Sequence, residues 1–232
     1  MKRFWRETAW QKVDDGYELT LDGKPIRTPG RQPLLLPTVE LAEAMAAEWE
    51  AQVERVDPGA MPLTRAANTA IDRVMVHRAP VVAELARYGE TDLLCYRAPH
   101  PPGLVVRQAA LWDPLLDWAE TAFGARLVPA EGVIYAAQNE TALSRLREEL
   151  EKADVWALTA LHELVSLSGS LVIGLGVKHG RLSTADAWAA SRVDEDWNIA
   201  EWGEDEEAAA QAARREAAFH AAARFLALSS SA

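Results

Sequence analysis

The stretch Leu182–Asp205, LSTADAWAASRVDEDWNIAEWGED, decides how the second half of this chain folds. Ser183 or Thr184 can cap its start, and Asp186 falls in the first turn, where a negative charge suits the helix dipole. At about 100° per residue, Trp188, Glu195, Ile199 and Trp202 share one stripe. Ala189, Val193, Trp197 and Ala200 share a second, roughly opposite. The spacing predicts a single helix packed on two sides, the spine of a helical bundle. Glu195 is then an acid inside an aromatic band, where a surface helix would carry Leu, with Arg192 three residues before it. Two readings stand: a solvated Arg192–Glu195 pair of little energetic worth, or a half-buried acid at a binding surface.

Outward from this stretch the pattern stays helical. Trp202-Gly203 interrupts it, and Glu204–Leu228 predicts a final amphipathic helix. Upstream, Gly169–Val177 is nearly all apolar and reads as a buried central helix or a buried strand, which period alone does not separate. Asp154 caps Val155–Leu167, and Asn139 caps Glu140–Lys152. Leu104–Phe123 predicts a long helix ending at Gly124, with a kink at Asp113-Pro114. Thr64–His77 and Pro80–Gly89 are shorter helices, and Thr91–Ala98 fits either class. Arg126–Val128 and Val133–Tyr135 are β-like runs around Glu131-Gly132; they either return to the N-terminal sheet or form a lone hairpin.

The N-terminus reads differently. Ala9–Val13, Tyr17–Leu21, Pro25–Arg27 and Pro33–Leu36 are short strands, with Asp14-Asp15-Gly16 and Asp22-Gly23 as hairpin turns. Thr38 caps a helix reaching about Gln52, which covers one face of the meander. The fold class expected is α+β: a small β-rich domain over residues 1–60, meander plus helix, and a larger all-α helical bundle over 61–232.

Composition narrows the function. A formal charge of −11 argues against nucleic-acid binding, which draws its affinity from Lys and Arg on phosphates. Cys95 is the only cysteine, so no internal disulfide framework exists and a reducing compartment fits. MKRFWRETAW lacks the apolar core of a secretory signal, and the Ser168–Val177 run is too short for a membrane span of about 20 residues. A soluble cytoplasmic protein without membrane insertion is expected. Nine tryptophans suggest aromatic packing and an interface.

Catalytic and cofactor motifs fail on inspection. Gly169 and Gly174 have phosphate-loop spacing, but Leu175 stands where the Lys must be. Gly174, Gly176 and Gly180 miss the dinucleotide spacing by one residue and suit close helix packing better. His162-Glu163 begins a zinc pair that Ser166 breaks, and the five histidines share no ligand spacing. Neither a cofactor nor a small-molecule substrate is expected. Asp113 and Asp117 lie four apart beside Trp112 and Trp118, so a small acid-dependent hydrolase is one alternative, although a solvated helix face explains the pair more simply. A generic holdase using a tryptophan-rich surface is another. Arg65 and Asp72 read as a polar network between helices.

Several strings, in order, resemble one family. They are Leu21-Asp22-Gly23-Lys24-Pro25-Ile26-Arg27-Thr28-Pro29, Glu48-Trp49-Glu50-Ala51-Gln52, and Met61-Pro62-Leu63-Thr64-Arg65 leading to Thr69-Ala70-Ile71-Asp72. Thr91–Ala98, Gln108 with Trp112–Trp118, and Asp194-Glu195 before Trp202-Gly203 complete the set. This resembles the ATP-synthase assembly chaperones that bind the free α subunit of the catalytic head, the mitochondrial assembly factor 2 type, with bacterial relatives; the likeness runs from about residue 3 to 228. It implies a non-enzymatic chaperone that covers the surface of α destined for β and is displaced on assembly. It implies a β-rich N-terminal and a helical C-terminal domain, and cytoplasmic action for a bacterial member. Glu195 matches the acid of the family's acidic–aromatic stretch, which places client binding at Arg192, Asp194, Glu195, Trp188 and Trp202. Trp49 matches the Trp of the Glu-Trp-x-x-Gln string and, with Arg65, Asp72, Trp112 and Trp118, is expected to be structural. The chain departs from relatives at Trp197-Asn198 and at Gly174 and Gly176.

Overall fold

The computed structural model describes residues 2–132 and 135–230. The chain divides into two compact units, the first being Met1–Arg78 with Asp154–Ala160 and Ala221–Ala232.

 The second unit therefore comprises Ala79–Ala153 and Leu161–His220. The division falls after Arg78, later than residue 60; the break at Val56-Asp57-Pro58-Gly59 suggests a boundary there or slightly beyond. Two later segments also count with the first unit.

In the first unit, β1 (Thr8–Val13), β2 (Gly16–Leu21), β3 (Lys24–Pro25) and β4 (Leu35–Leu36) form an antiparallel sheet. β2 is its hub: Val13 pairs with Gly16 and Thr8 with Leu21, while Tyr17 pairs with Leu36 and Thr20 with Pro25. The β2–β3 turn works as its residues require, with Asp22 at φ 49° and Gly23 at φ 75°. The Asp22 carboxylate also accepts the Arg6 and Glu7 amides at 2.9 and 3.0 Å, which holds its pKa below the ordinary carboxylate value.

Helix α1 (Val39–Glu50) is capped by Thr38, whose Oγ1 accepts from the Leu41 amide at 3.2 Å. Leu19, Leu36, Leu41 and Met45 are fully buried together with Leu21 and Leu34. A 3₁₀ turn (Pro58–Ala60) leads to α2 (Pro62–Thr69). Met61 gives α2 no side-chain cap; Glu48 replaces it, accepting the Leu63 and Thr64 amides at 2.7 and 2.8 Å. A π-helical turn follows (Ala70–Val74), so the expected helix Thr64–His77 is not uniform. Trp156 and Phe225, with ring centroids 6.1 Å apart, belong to the later segments of this unit.

The remaining elements are α3 (Arg78–Arg87), 3₁₀ turns at Tyr88–Thr91 and Leu93–Cys95, β5 (Tyr96–Arg97), α4 (Pro102–Phe123), β6 (Ala130–Glu131), α5 (Glu140–Lys152) and α6 (Val155–Ser168). They continue with α7 (Leu171–Lys178), α8 (Thr184–Ser191), α9 (Val193–Trp202) and α10 (Glu206–Ser229). The architecture is α+β, with the strand region N-terminal and the C-terminal part helical.

Two expectations change, and one alternative left open by the sequence is resolved. The run 182–205 is two helices, α8 and α9, broken at Arg192, where ψ swings to 9° and the amide reaches back only to the Ala189 carbonyl, at 3.2 Å. The expected hairpin near 125–137 is instead β6 pairing in parallel with β5, Tyr96 opposite Ala130, within the second unit; Val133 and Ile134 lie outside the described residues. The apolar run after Gly169 is a helix, α7, buried from Leu171 to Gly176. A Cβ on Gly174 would stand 2.6 Å from Val165 Cγ2, so this glycine permits close helix contact. Among the described residues, no helix is long and apolar enough to cross a membrane.

Candidate functional site

α9 is held on α4 by two contacts. Gln108, 1% exposed, donates from Nε2 to Asp194 Oδ1 at 2.6 Å and accepts the Ala98 amide on its own Oε1 at 2.8 Å. Trp197 lies over the first turn of α4: a Cβ on Gly103 would come within 2.5 Å of its ring. Preceding α9, α8 is fixed by Trp112 Nε1, which donates to the Ala190 carbonyl at 2.8 Å, and by Trp188 packed on Phe219 at 5.5 Å.

These anchors sort the residues predicted to meet a client. Trp188 is buried, and Asp194 is turned inward to Gln108. Arg192 keeps only 12% of its side chain exposed; its guanidinium lies 5.8 Å from the Trp188 ring centre, 3.5 Å from Asp196 and 3.9 Å from Glu195. Glu195, half exposed, is thus the looser partner of Arg192 and keeps acceptor capacity for another donor. Trp202, at 86% exposed, is the most open of the tryptophans.

Glu195 lines an open groove of about 220 Å³ in the second unit, between α9 and the first turns of α10. Ile199, Ala208, Ala209 and Ala212 supply its apolar part; Arg192, Glu195, Asn198, Glu204 and Asp205 supply its polar part. Asp205 caps α10, accepting the Ala208 amide at 2.8 Å. The groove residues on α10 escape a reading based on periodicity, because the alanines that crowd its first turns mark no apolar stripe of their own within the amphipathic helix; the signal is Gly203, whose φ of 89° turns the chain from one wall to the other.

The residues expected to be structural occupy varied places. Trp49 is half-buried, its ring 5.2 Å from that of Trp5. It belongs to a string three of whose members hold the first unit together: Glu48 caps α2, Glu50 meets Arg3 at 3.0 Å, and Gln52 Oε1 accepts the Asp57 amide at 2.7 Å. Asp72 does not form the network with Arg65 that their spacing suggested. Its carboxylate accepts from Thr28 Oγ1 at 2.6 Å and the Gly30 amide at 2.8 Å, while Arg65 is exposed. Trp112 is fully buried; Trp118 is half-buried, edge-on to Phe123 at 5.0 Å.

The acids weighed for hydrolysis are arranged otherwise. Asp113 is 2.7 Å from Arg97, which stacks on Trp112, and Asp117 is exposed. Neither lines the groove. Among the described residues, no group of three or more His, Cys, Asp and Glu side chains is placed to hold a metal ion.

Comparison with known proteins gives a consistent result. A family model described as the ATP12 chaperone protein matches residues 2–120. The mitochondrial protein atp12 of Schizosaccharomyces pombe is 26% identical over 220 residues, spanning 89% of this chain and 75% of that protein. The crystal structure of Atp12 from Paracoccus denitrificans superposes with a TM-score of 0.95 at 49% identity, over 99% of this chain and 98% of that one. An aspartate-to-lysine mutant of the Paracoccus protein gives the same values.

Proposed function

The chain belongs to the ATP12 chaperone family, and from that premise we propose that it is an assembly chaperone for the catalytic head of ATP synthase. Its client is the free α subunit. It covers the surface that α later presents to β, and β displaces it on assembly. A free subunit exposes apolar interface, an aggregation hazard until covered. A displaceable cover must bind moderately and through partly polar contacts.

The observation that carries this reading is the 49% identity and 0.95 TM-score to Atp12 across nearly the whole chain. The groove beside Glu195 suits it: an accessible acid, an apolar floor and a wide-open Trp202 make a mixed surface rather than a sealed pocket. A generic holdase is less suited, since Trp5, Trp112 and Trp188 are buried. The hydrolase reading is less suited too, since Asp113 is paired with Arg97 at 2.7 Å and neither Asp113 nor Asp117 lines the groove. In a bacterium, the cytoplasm is the proposed place of action.

Co-purification tests the reading. The protein should be retained by free α subunit and not by the assembled head. Equal retention by both, or by neither, overturns it.

A further inference from the structure

The groove between α9 and α10 has a chemistry that selects its occupant. Its polar side carries three acids, Glu195, Glu204 and Asp205, against one cation, Arg192. That cation is already engaged, stacked on Trp188 and nearer to Asp196 than to Glu195. The whole stretch 194–207 contains eight acids and no Lys or Arg. The field over the groove is therefore negative, and it favours a cationic group from outside. A second copy of this chain, carrying the same acidic face and a formal charge of −11, is disfavoured by the same field.

The walls fix the form of the occupant. Both are helices whose amides are bonded internally, so neither offers a free strand edge to an extended segment. The floor contributes only methyl groups from Ala208, Ala209 and Ala212 on α10, with Ile199 facing them from α9. A shallow apolar trough between two helices receives the ridge of a third. Trp202, three residues past Ile199 on the same helix, extends the apolar side and offers an exposed ring face to a cation.

We propose that this groove binds an amphipathic helix of the client, seating its small apolar ridge on the α10 alanines and an Arg or Lys on Glu195. The inference rests on the chaperone reading for the identity of the client, but not for the chemistry of the groove.

The test titrates the full chain calorimetrically with a synthetic helical peptide bearing an Ala/Leu ridge edged by Arg, and with the same peptide carrying Gln for every Arg. The Arg peptide should bind at least about tenfold more tightly than the Gln peptide, and more weakly as salt is raised. Glu195→Gln combined with Glu204→Gln, both on exposed side chains, should weaken the Arg peptide by about tenfold with an unchanged circular dichroism spectrum. Ala209→Phe should abolish binding by filling the trough. Equal affinity for the two peptides, or wild-type affinity in the charge variant, overturns the proposal. So does a chain that sediments as a dimer and is dissociated by Ala209→Phe, which would make a second copy the occupant. Free α subunit separates the two levels: if Ala209→Phe is folded and holds α as the wild type does, the groove assignment falls and the chaperone reading stands. If the wild type binds the Arg peptide and not α, the chaperone reading falls and the groove assignment stands.

Discussion

Asp194 and Glu195 are adjacent in the chain and opposite in role: the first is locked at 2.6 Å to the buried Gln108, while the second is half exposed in the groove. One residue along a helix turns the side chain by about 100°, enough to send neighbouring carboxylates to different environments. Glu195→Lys should therefore leave melting within about 0.5 kcal/mol of wild type and abolish retention of the client. Asp194→Ala leaves the Gln108 amide without its acceptor and should lower stability by about 1–3 kcal/mol. Chemical denaturation of the two variants checks the pair; an unfolded Glu195→Lys would show that this acid is structural.

Trp49→Arg should destabilise the first unit. The ring packs edge-on to Trp5, and a guanidinium there replaces aromatic contact with a charge against aromatic surface. A loss of about 2–4 kcal/mol is expected. Trp49→Phe is the informative control: among the described residues the indole N–H has no hydrogen-bond partner, so its removal forfeits packing but no bond. Differential scanning calorimetry should place Trp49→Phe well above Trp49→Arg.

Asp92 makes stability depend on pH. It is fully buried at the start of α7, accepting the Leu94 and Val172 amides, both at 3.1 Å, and burial pushes its pKa up from 3.8 to about 6. The folded state thus holds this proton more tightly than the unfolded state does. Its contribution falls as pH rises from about 3.8 to about 6, by roughly 3 kcal/mol at most. Urea titrations of wild type and Asp92→Asn across that window should diverge with this sign, the wild type gaining relative to the variant as pH is lowered. Parallel pH profiles for the two proteins would refute the assignment.

Gly103→Ala should disturb α9 from a distance. The added methyl meets the Trp197 ring at 2.5 Å, and the ring must move off α4. Overpacking of this kind costs about 1–3 kcal/mol. Near-ultraviolet circular dichroism should change while the helical signal persists, and client retention should weaken without any substitution in the groove itself.

The parts of this fold legible in the sequence are those with a local cause. Asp22-Gly23 announces its turn because both positions need positive φ, and Thr38, Asn139 and Ser183 announce their helices because they cap them. The break at Arg192 is illegible because apolar residues continue across it; periodicity carries Trp188 and Trp202 onto one stripe, whereas the first is buried and the second almost bare. The β5–β6 pairing is two residues long and has no period to detect. Gln108 and Asp194 lie 86 positions apart, and nothing in either neighbourhood points to the other. The site was therefore half visible: Glu195 stands out as an acid among aromatics, while the alanines opposite it look like ordinary helix filler.

Gly203 separates the groove's two walls by a three-residue link ending at the cap of α10. Its φ of 89° is a torsion that other residues rarely adopt, and a Cβ there would meet nothing within 4 Å. The constraint on this position is thus purely conformational, not steric. This torsion is one of the few in the link that set the angle between the walls, so a substitution at Gly203 changes the aperture without altering a single lining side chain.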